Sequence, residues 1–315
     1  MKLISIMTPC YNEEENVEET YRQVKAIFDS LGKYRYEHLF IDNASTDNTQ
    51  AILRRLARQD KNVKVIINTR NFGHIRSPFH GLLETSGDAA IVVVADRQDP
   101  LDLIPVFLQK WEEGNKIIMA VKKRSKENLV MFTIRRVYYK LARWLSEIEL
   151  TENYYGYGLL DRFVINVLRE MDDPYPYGRG MISEIGLAPI KIEYTQHRRE
   201  RGITKNNFYT LYDMAMLGIT SHSKVPLRLA TMLGFGVSAL SLVVAVAYFI
   251  YKLLFWNRFD VGIAPLIIGI FFFFAVQLFF IGILGEYIGF IHTQVLKRPL
   301  VVEKERINFE PPSGA

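Results

Sequence analysis

The sequence predicts an α/β domain, a mainly parallel sheet flanked by helices, followed by a C-terminal two-helix transmembrane hairpin. Three observations predict it. Short apolar runs alternate with segments of helical spacing up to about residue 225. Several of those runs end on polar residues, as strands of an open parallel sheet do where they carry a site. Two uncharged stretches near the C-terminus are each long enough to cross a hydrocarbon core.

The elements follow in order. Leu3–Thr8 is a short apolar run ended by Pro9 and reads as a buried strand. Glu15–Leu31 has helical spacing, with Asn12 as its cap. Tyr36–Ile41 is a second strand, followed by the polar stretch Asp42-Asn43-Ala44-Ser45-Thr46-Asp47 and a helix over Asp47–Gln59. Val63–Ile67, Ala89–Ala95 and Lys116–Val121 read as three more strands. Asp99-Pro100 reads as a helix opening, with the aspartate as cap and the proline at the first helical position. Asn128–Ile148 and Asn206–His222 are amphipathic, either packed core or interfacial helices.

Leu229–Tyr251 and Val261–Gly285 carry no charge over about 23 and 25 residues, against a hydrocarbon core of ~30 Å. The connector Lys252–Asp260 is too short for a domain, so the spans form a hairpin. Lys224, Arg228, Lys297, Arg298, Lys304 and Arg306 flank its open end, and only Lys252 and Arg258 lie at the turn. The positive-inside rule then puts both termini and the large domain in the cytoplasm. Tyr248, Tyr251 and Trp256 suit the far interface, and Glu286 is expected at the near end of the second span. The domains expected are 1–205, a juxtamembrane segment 206–228, the spans 229–290 and a tail 291–315.

Composition narrows the chemistry. Across 315 residues the net charge is +5, a modest excess that suits anionic headgroups and phosphates, without the basic and aromatic interleaving of a nucleic-acid binder. Cys10 is the one cysteine, so no internal disulfide and no cysteine-based metal site can form. No phosphate-binding Walker loop or dinucleotide glycine fingerprint is present.

Seven stretches, in order, carry a resemblance. They are Thr8-Pro9-Cys10-Tyr11-Asn12-Glu13-Glu14; Ile41 through Thr49; Arg70-Asn71-Phe72-Gly73-His74; Asp96-Arg97-Gln98-Asp99-Pro100; Gly202-Ile203-Thr204-Lys205; Pro226-Leu227-Arg228; and Leu284-Gly285-Glu286-Tyr287-Ile288-Gly289. Together the chain resembles family 2 glycosyltransferases of GT-A fold, in the branch that uses polyprenyl phosphate. The resemblance implies transfer of a sugar from a nucleotide-sugar, with UDP as its nucleotide, to a polyprenyl phosphate, with inversion. It implies that Pro9, Tyr11, Glu13 and Asp42 line the nucleotide pocket. It implies that Asp96 and Gln98 help hold Mg²⁺ or Mn²⁺ on the diphosphate, and that Arg199 and Lys205 bind phosphate of the acceptor or donor. Relatives of this branch can self-associate through membrane helices, so a homo-oligomer is a further expectation.

Three positions depart from the family pattern. Val94 stands where the first aspartate of Asp-x-Asp-x-Gln is expected, and Asn43-Ala44 stands within an Asp-Asp-Gly-Ser element. Tyr155-Gly156-Tyr157-Gly158 replaces a Gly-Asp-Phe-Arg stretch whose aspartate is a candidate base. Either a phosphate acceptor, already ionised, needs no base, or Glu184 supplies one. A non-catalytic nucleotide-sugar-binding partner of another transferase or flippase stays open as the alternative.

Overall fold

Strand β1 (Leu3–Cys10) is buried along almost its whole length, because it lies at the centre of the sheet with helices on both sides. The structure is a computed structural model, and it describes residues 1–96, 98–123, 151–196, 216–218, 220–221, 223–255 and 263–309. The expected helices at Asn128–Ile148 and, almost entirely, at Asn206–His222 lie outside the described residues.

Among the described residues, eight strands form one sheet. The others are β2 (Arg35–Asp42), β3 (Val63–Asn68), β4 (Ala89–Val92), β5 (Ile117–Lys122), β6 (Tyr154–Asp161), β7 (Ile190–Tyr194) and β8 (Glu303–Ile307). Their order is β7-β5-β6-β4-β1-β2-β3-β8. β1 pairs in parallel with β2 and β4, β2 with β3, and β5 with β7. Only β6 and β8 run against their neighbours. The mainly parallel sheet expected from the sequence is present, and five of its strands match the expected runs to within a few residues.

Residues alternate between the two faces. Ile4, Ile6 and Ile91 face Val24 and Phe28 of α1 (Val17–Leu31) and Phe107 and Trp111 of α4 (Ile104–Glu112). Phe40, Val65 and Ile67 pack on Leu53 and Leu56 of α2 (Thr49–Gln59). Met7, Leu39 and Ile41 face Phe79 and Leu82 of α3 (Gly73–Leu83), with α5 (Arg162–Glu170) and α6 (Gly178–Glu184) on the same cluster.

Two expected caps are corrected. Asn12 lies before the helix, which starts at Val17; it adopts φ 56° and its side chain accepts from the amide of Thr46 (2.8 Å). Asp99 caps nothing: a 3-10 turn (Leu101–Leu103) precedes α4, and the aspartate accepts instead from the Tyr194 hydroxyl (2.6 Å). In both places a tertiary bond outcompetes the local one.

The last strand makes the tail part of the domain. β8 pairs with the edge strand β3, and Asn308 donates to the carbonyls of Ala57 (2.6 Å) and Val63 (2.8 Å). Glu303 meets His80 (2.6 Å), Glu305 meets Arg54 (2.7 Å), and Arg306 pairs with Glu84. Residues 296–315 thus belong to the same compact unit as 1–139 and 148–207.

The other unit, residues 140–147 and 208–295, carries two long helices, α7 (Val225–Leu254) and α8 (Ile263–Val295). Both are long and apolar enough to cross a membrane, and the most apolar stretch of each is unburied. Apolar surface of that extent needs lipid or other cover, so the protein is membrane-associated. Both helices outrun the expected spans. Glu286 lies within α8, which continues to Val295.

Gly158 fixes the β5–β6 pairing, where it lies opposite Met119. A Cβ there would meet the Ile118 carbonyl oxygen at 2.2 Å. Gly158→Ala is expected to cost about 1–3 kcal/mol, read as a lowered thermal midpoint of the purified protein. An unchanged midpoint would remove this contact from the account.

Candidate functional site

Parallel strands β1 to β4 deliver their C-terminal ends to one edge, and β5 and β7 end there too. Ladder spacing puts β2 and β4, the two neighbours of β1, about 10 Å apart side by side. The expected nucleotide-pocket residues gather here. Pro9 pairs with Ile41 in the ladder and Cys10 with Asp42. Tyr11 and Glu13 follow in the loop after β1.

That loop is fastened to the loop after β2. The Asn12 amide donates to Ser45 Oγ (2.9 Å), the Glu13 amide to Thr49 Oγ1 (2.9 Å), and the Asn48 amide to Glu14 (2.9 Å). Glu13 also accepts from the Asn16 side chain (2.7 Å), which holds its carboxylate beside the start of α1.

Asp42 is fully buried. One carboxylate oxygen accepts from the Ser45 amide (3.0 Å), and Oδ1 has no hydrogen-bond partner. The nearby Gln50 amide donates to the Ser45 carbonyl (3.0 Å). Burial pushes the Asp42 carboxyl up, against hydrogen bonds from Ser45 and Gln50 that pull it down. A buried acceptor atom left open is costly in a folded chain and marks a place for a donor from outside.

Asn43 explains one departure from the family pattern. Its Nδ2 donates to Asn71 Oδ1 (2.9 Å) and to the Gly73 carbonyl (3.0 Å). Its Oδ1 accepts from the Phe72 amide (2.9 Å) and Asn68 Nδ2 (3.2 Å). A carboxylate could make only the second pair of bonds and would face two acceptors. Asn43 therefore positions the loop after β3. Ala44 beside it sits at φ 60°, a left-handed conformation that costs an L-residue about 1–2 kcal/mol.

The loop after β4 holds the remaining carboxylates. Asp96 accepts from the Gln98 amide (3.2 Å) and from no other group among the described residues. The loop is braced from β7: Gln196 donates to Gln98 Oε1 (3.0 Å) and Tyr194 donates to Asp99. The Tyr157 hydroxyl adds a bond to the Pro100 carbonyl (2.5 Å). Burial pushes the Asp99 carboxyl up, and the nearby Asp96 adds to this, while the Tyr194 bond and Lys122 oppose it. Asp99 is a half-buried carboxylate that sequence reasoning assigned to a cap. Its spacing from Asp96 on one post-strand loop was the available signal.

The other expected residues fare differently. Glu184 is the last residue of α6. Arg199 and Lys205 lie outside the described residues, as does Arg97. Val94 is half-buried in its loop. Gly156 adopts φ 103°, where an aspartate would be strained even though nothing crowds its Cβ position.

The donor set tests the fit of a divalent ion. Among the described residues no three His, Cys, Asp or Glu side chains converge as ligands. Asp96 and the amide oxygen of Gln98 can contribute, which suits an ion that takes its other ligands from a diphosphate and water. They do not make a cage for a resident metal.

Comparisons with known proteins agree over nearly the whole chain. Residues 5–169 match the family described as Glycosyl transferase family 2. The SfII prophage-derived bactoprenol glucosyl transferase of Shigella flexneri is 35% identical over 303 residues, covering 96% of this chain and 97% of its own. A prophage bactoprenol glucosyl transferase homolog of Escherichia coli is 33% identical over 302 residues, covering 96% and 98%. A putative glycosyltransferase of Bacillus subtilis, CsbB, is 33% identical over 304 residues, covering 96% and 92%.

Asp42→Asn separates a ligand contact from a structural role. It keeps an acceptor for Ser45 but puts an NH₂ group where Oδ1 stands open. Nucleotide affinity, measured by calorimetry with uridine diphosphate, is expected to fall about tenfold or more, the size of a lost hydrogen bond to a charged group. Because burial raises the folded-state pKa, Asp42 supports the fold most below the ordinary carboxylate pKa of about 4, and this support is lost as pH rises through the raised value. The variant should therefore gain thermal stability relative to the parent at pH 7 but not at pH 4. Unchanged nucleotide affinity would leave Asp42 a structural residue.

Proposed function

The chain belongs to glycosyl transferase family 2, and we propose that it moves a sugar from a nucleotide-sugar to a polyprenyl phosphate. One observation carries the reading: the Asp42 and Asp96 loops meet at one sheet edge in a chain with two membrane-length helices, and relatives alike over its full length are named bactoprenol glucosyl transferases.

In this reading a phosphate oxygen of the acceptor attacks the anomeric carbon. A new carbon–oxygen bond forms as the bond to the diphosphate breaks, and the leaving oxygen keeps the electron pair. A single displacement of this kind inverts the anomeric centre. The acceptor is already ionised near neutral pH, so no base is needed, and positioning with charge stabilisation supplies most of the rate. Pro9, Tyr11, Glu13 and Asp42 bind the nucleoside, with a donor group of the base or ribose filling Asp42 Oδ1. Asp96 and Gln98 would hold Mg²⁺ or Mn²⁺ against the diphosphate, where the ion offsets charge on the leaving group. Arg199 and Lys205 are assigned to phosphate of the acceptor or donor.

We place the sheet domain on the cytoplasmic side of the cytoplasmic membrane. β8 follows α8 yet joins the same sheet as strands that precede α7, so the chain leaves and re-enters one domain across the two spans. Lys224, Arg228, Lys297 and Arg298 lie at that open end, which the positive-inside rule assigns to the cytoplasm.

Purified protein with labelled UDP-sugars, polyprenyl phosphate and Mg²⁺ or Mn²⁺ should yield a labelled lipid, and Asp96→Ala should lower turnover about 100-fold or more. No labelled lipid from any common donor would end the proposal; near-normal turnover of the variant would end the role given to Asp96.

A second reading, a nucleotide-sugar binder without turnover, is favoured by Val94 and Gly156, which stand where carboxylates are expected. The two positions separate in the laboratory. Val94→Asp should change stability by no more than about 0.5 kcal/mol, whereas Gly156→Asp should cost about 1–3 kcal/mol through its backbone conformation. Turnover that appears in Val94→Asp and is missing from the parent would establish the binder.

A further inference from the structure

Several arginines of the sheet domain are matched: Arg22 and Arg55 pair with Glu18, Arg54 with Glu305, and Arg306 with Glu84 and Glu303. Others lack such a partner, and three of these fall together. Arg70, Arg76 and Arg298 have no carboxylate partner among the described residues. They come from the loop after β3, the first half of α3 and the stretch just after α8.

The geometry gathers them. The Arg70 guanidinium lies 4.0 Å from the centre of the Phe72 ring and that of Arg76 lies 5.4 Å from it. Arg70 donates to the Asn71 carbonyl (3.1 Å), and Arg76 donates through Nη2 to the Pro299 carbonyl, which joins α3 to the segment carrying Arg298. Arg76 Nε is buried with no partner. Burial lowers the Arg76 pKa, and the charges of Arg70 and Arg298 lower it further, with Tyr175 acting the other way. Three cations held together without an anion leave both charge and donor capacity unsatisfied.

Position says which anion. Arg298 is three residues past Val295, the last residue of α8, so chain length alone keeps it within about 10 Å of the end of a membrane-length helix. Cations at that level meet lipid phosphates, and a guanidinium fork suits a phosphate oxygen pair. We propose that Arg70, Arg76 and Arg298, the first two against the Phe72 ring, form a binding site for a phosphate group carried by a membrane lipid. None of its residues is among the carboxylates assigned to the donor. Its loop is nonetheless the one that Asn43 holds next to Asp42.

The test uses full-length protein in neutral detergent, with phosphatidylglycerol and phosphatidylcholine as probes and retained lipid counted by native mass spectrometry. It reads lipid retention and not sugar transfer, so it stands or falls apart from the proposed reaction. Phosphatidylglycerol should be retained over phosphatidylcholine. Arg70→Gln and Arg298→Gln should each weaken that retention about fivefold, and the double variant more. Arg298 is exposed and makes no bond the fold needs, so its variant keeps the test valid if Arg76→Gln fails to fold. Arg55→Gln, at a matched cation, should change nothing. Displacement of phosphatidylglycerol by polyprenyl phosphate would assign the site to the acceptor's headgroup; resistance to it would assign the site to bulk phospholipid. Equal retention of the two probe lipids, or retention unaltered in both Arg70→Gln and Arg298→Gln, overturns the proposal. Displacement by inorganic phosphate at the concentration of the lipid probe overturns the lipid source.

Discussion

The parallel pairing of β1 with both of its neighbours is the constraint on which the site depends. Cys10 stands opposite Asp42, and Met7 stands opposite Val92. Three chain segments distant in sequence therefore end at one edge, with their loops adjacent. The register cannot slip, because a shift of one residue would exchange Ile4 and Ile6 with Met7 between two different helix layers. The hydrophobic core thus sets where the polar chemistry sits. Asp42 is buried because it is still a ladder residue, and Asp96 is not because its strand ended at Val92.

Hydrogen bonds hold the edge loops together, and the ion pairs among the described residues are placed elsewhere. Asn12, Asn43, Ser45, Thr49, Tyr194 and Gln196 join the loops after β1, β2, β3 and β4. The ion pairs of Glu303, Glu305 and Arg306 lie on the outer edge, where β8 is clasped to β3, α2 and α3. Among the described residues, this division keeps Asp42 and Asp96 free of arginine or lysine partners that a ligand would have to displace. It also makes the domain depend on a strand that the chain reaches only after both long helices.

The legible part of the sequence was that with one dominant period. β1, β2, β3 and β5 are short apolar runs, and α1 and α2 show one apolar stripe, so their existence followed from pattern alone. The long apolar helices were equally plain, although their ends were not, because helix continues through Glu286 to Val295, beyond the uncharged run. α3 was hidden by Gly73, Pro78 and Gly81, which read as breakers. β8 was hidden because Glu303, Lys304, Glu305 and Arg306 look like a solvated tail, and only their partners on other elements make the run a strand. In the site, the carboxylates were legible from motif and position. The bonds of Asn12, Asn43 and Asp99 were not, since each is a tertiary contact between loops distant in sequence.

The positions that lack a carboxylate bear on one another. Val94, Asn43 and Gly156 each remove a negative charge from the neighbourhood of a sheet edge that is proposed to receive a diphosphate and a second phosphate. A unit charge about 6 Å from a phosphate charge costs about 3 kcal/mol of repulsion at an effective dielectric constant near 20. Losing such charges eases the approach of an anionic acceptor while weakening the grip on a cation. Asn43 shows that one of these changes is built into the fold, because its amide donates two bonds that an aspartate cannot make. Gly156 shows the same at the level of the backbone, through a φ of 103° that only glycine adopts at little cost. The chemistry left at the edge is therefore that of a site which handles two anions by holding them in place. That is the demand made by a phosphate acceptor, and a hydroxyl acceptor would require the missing base.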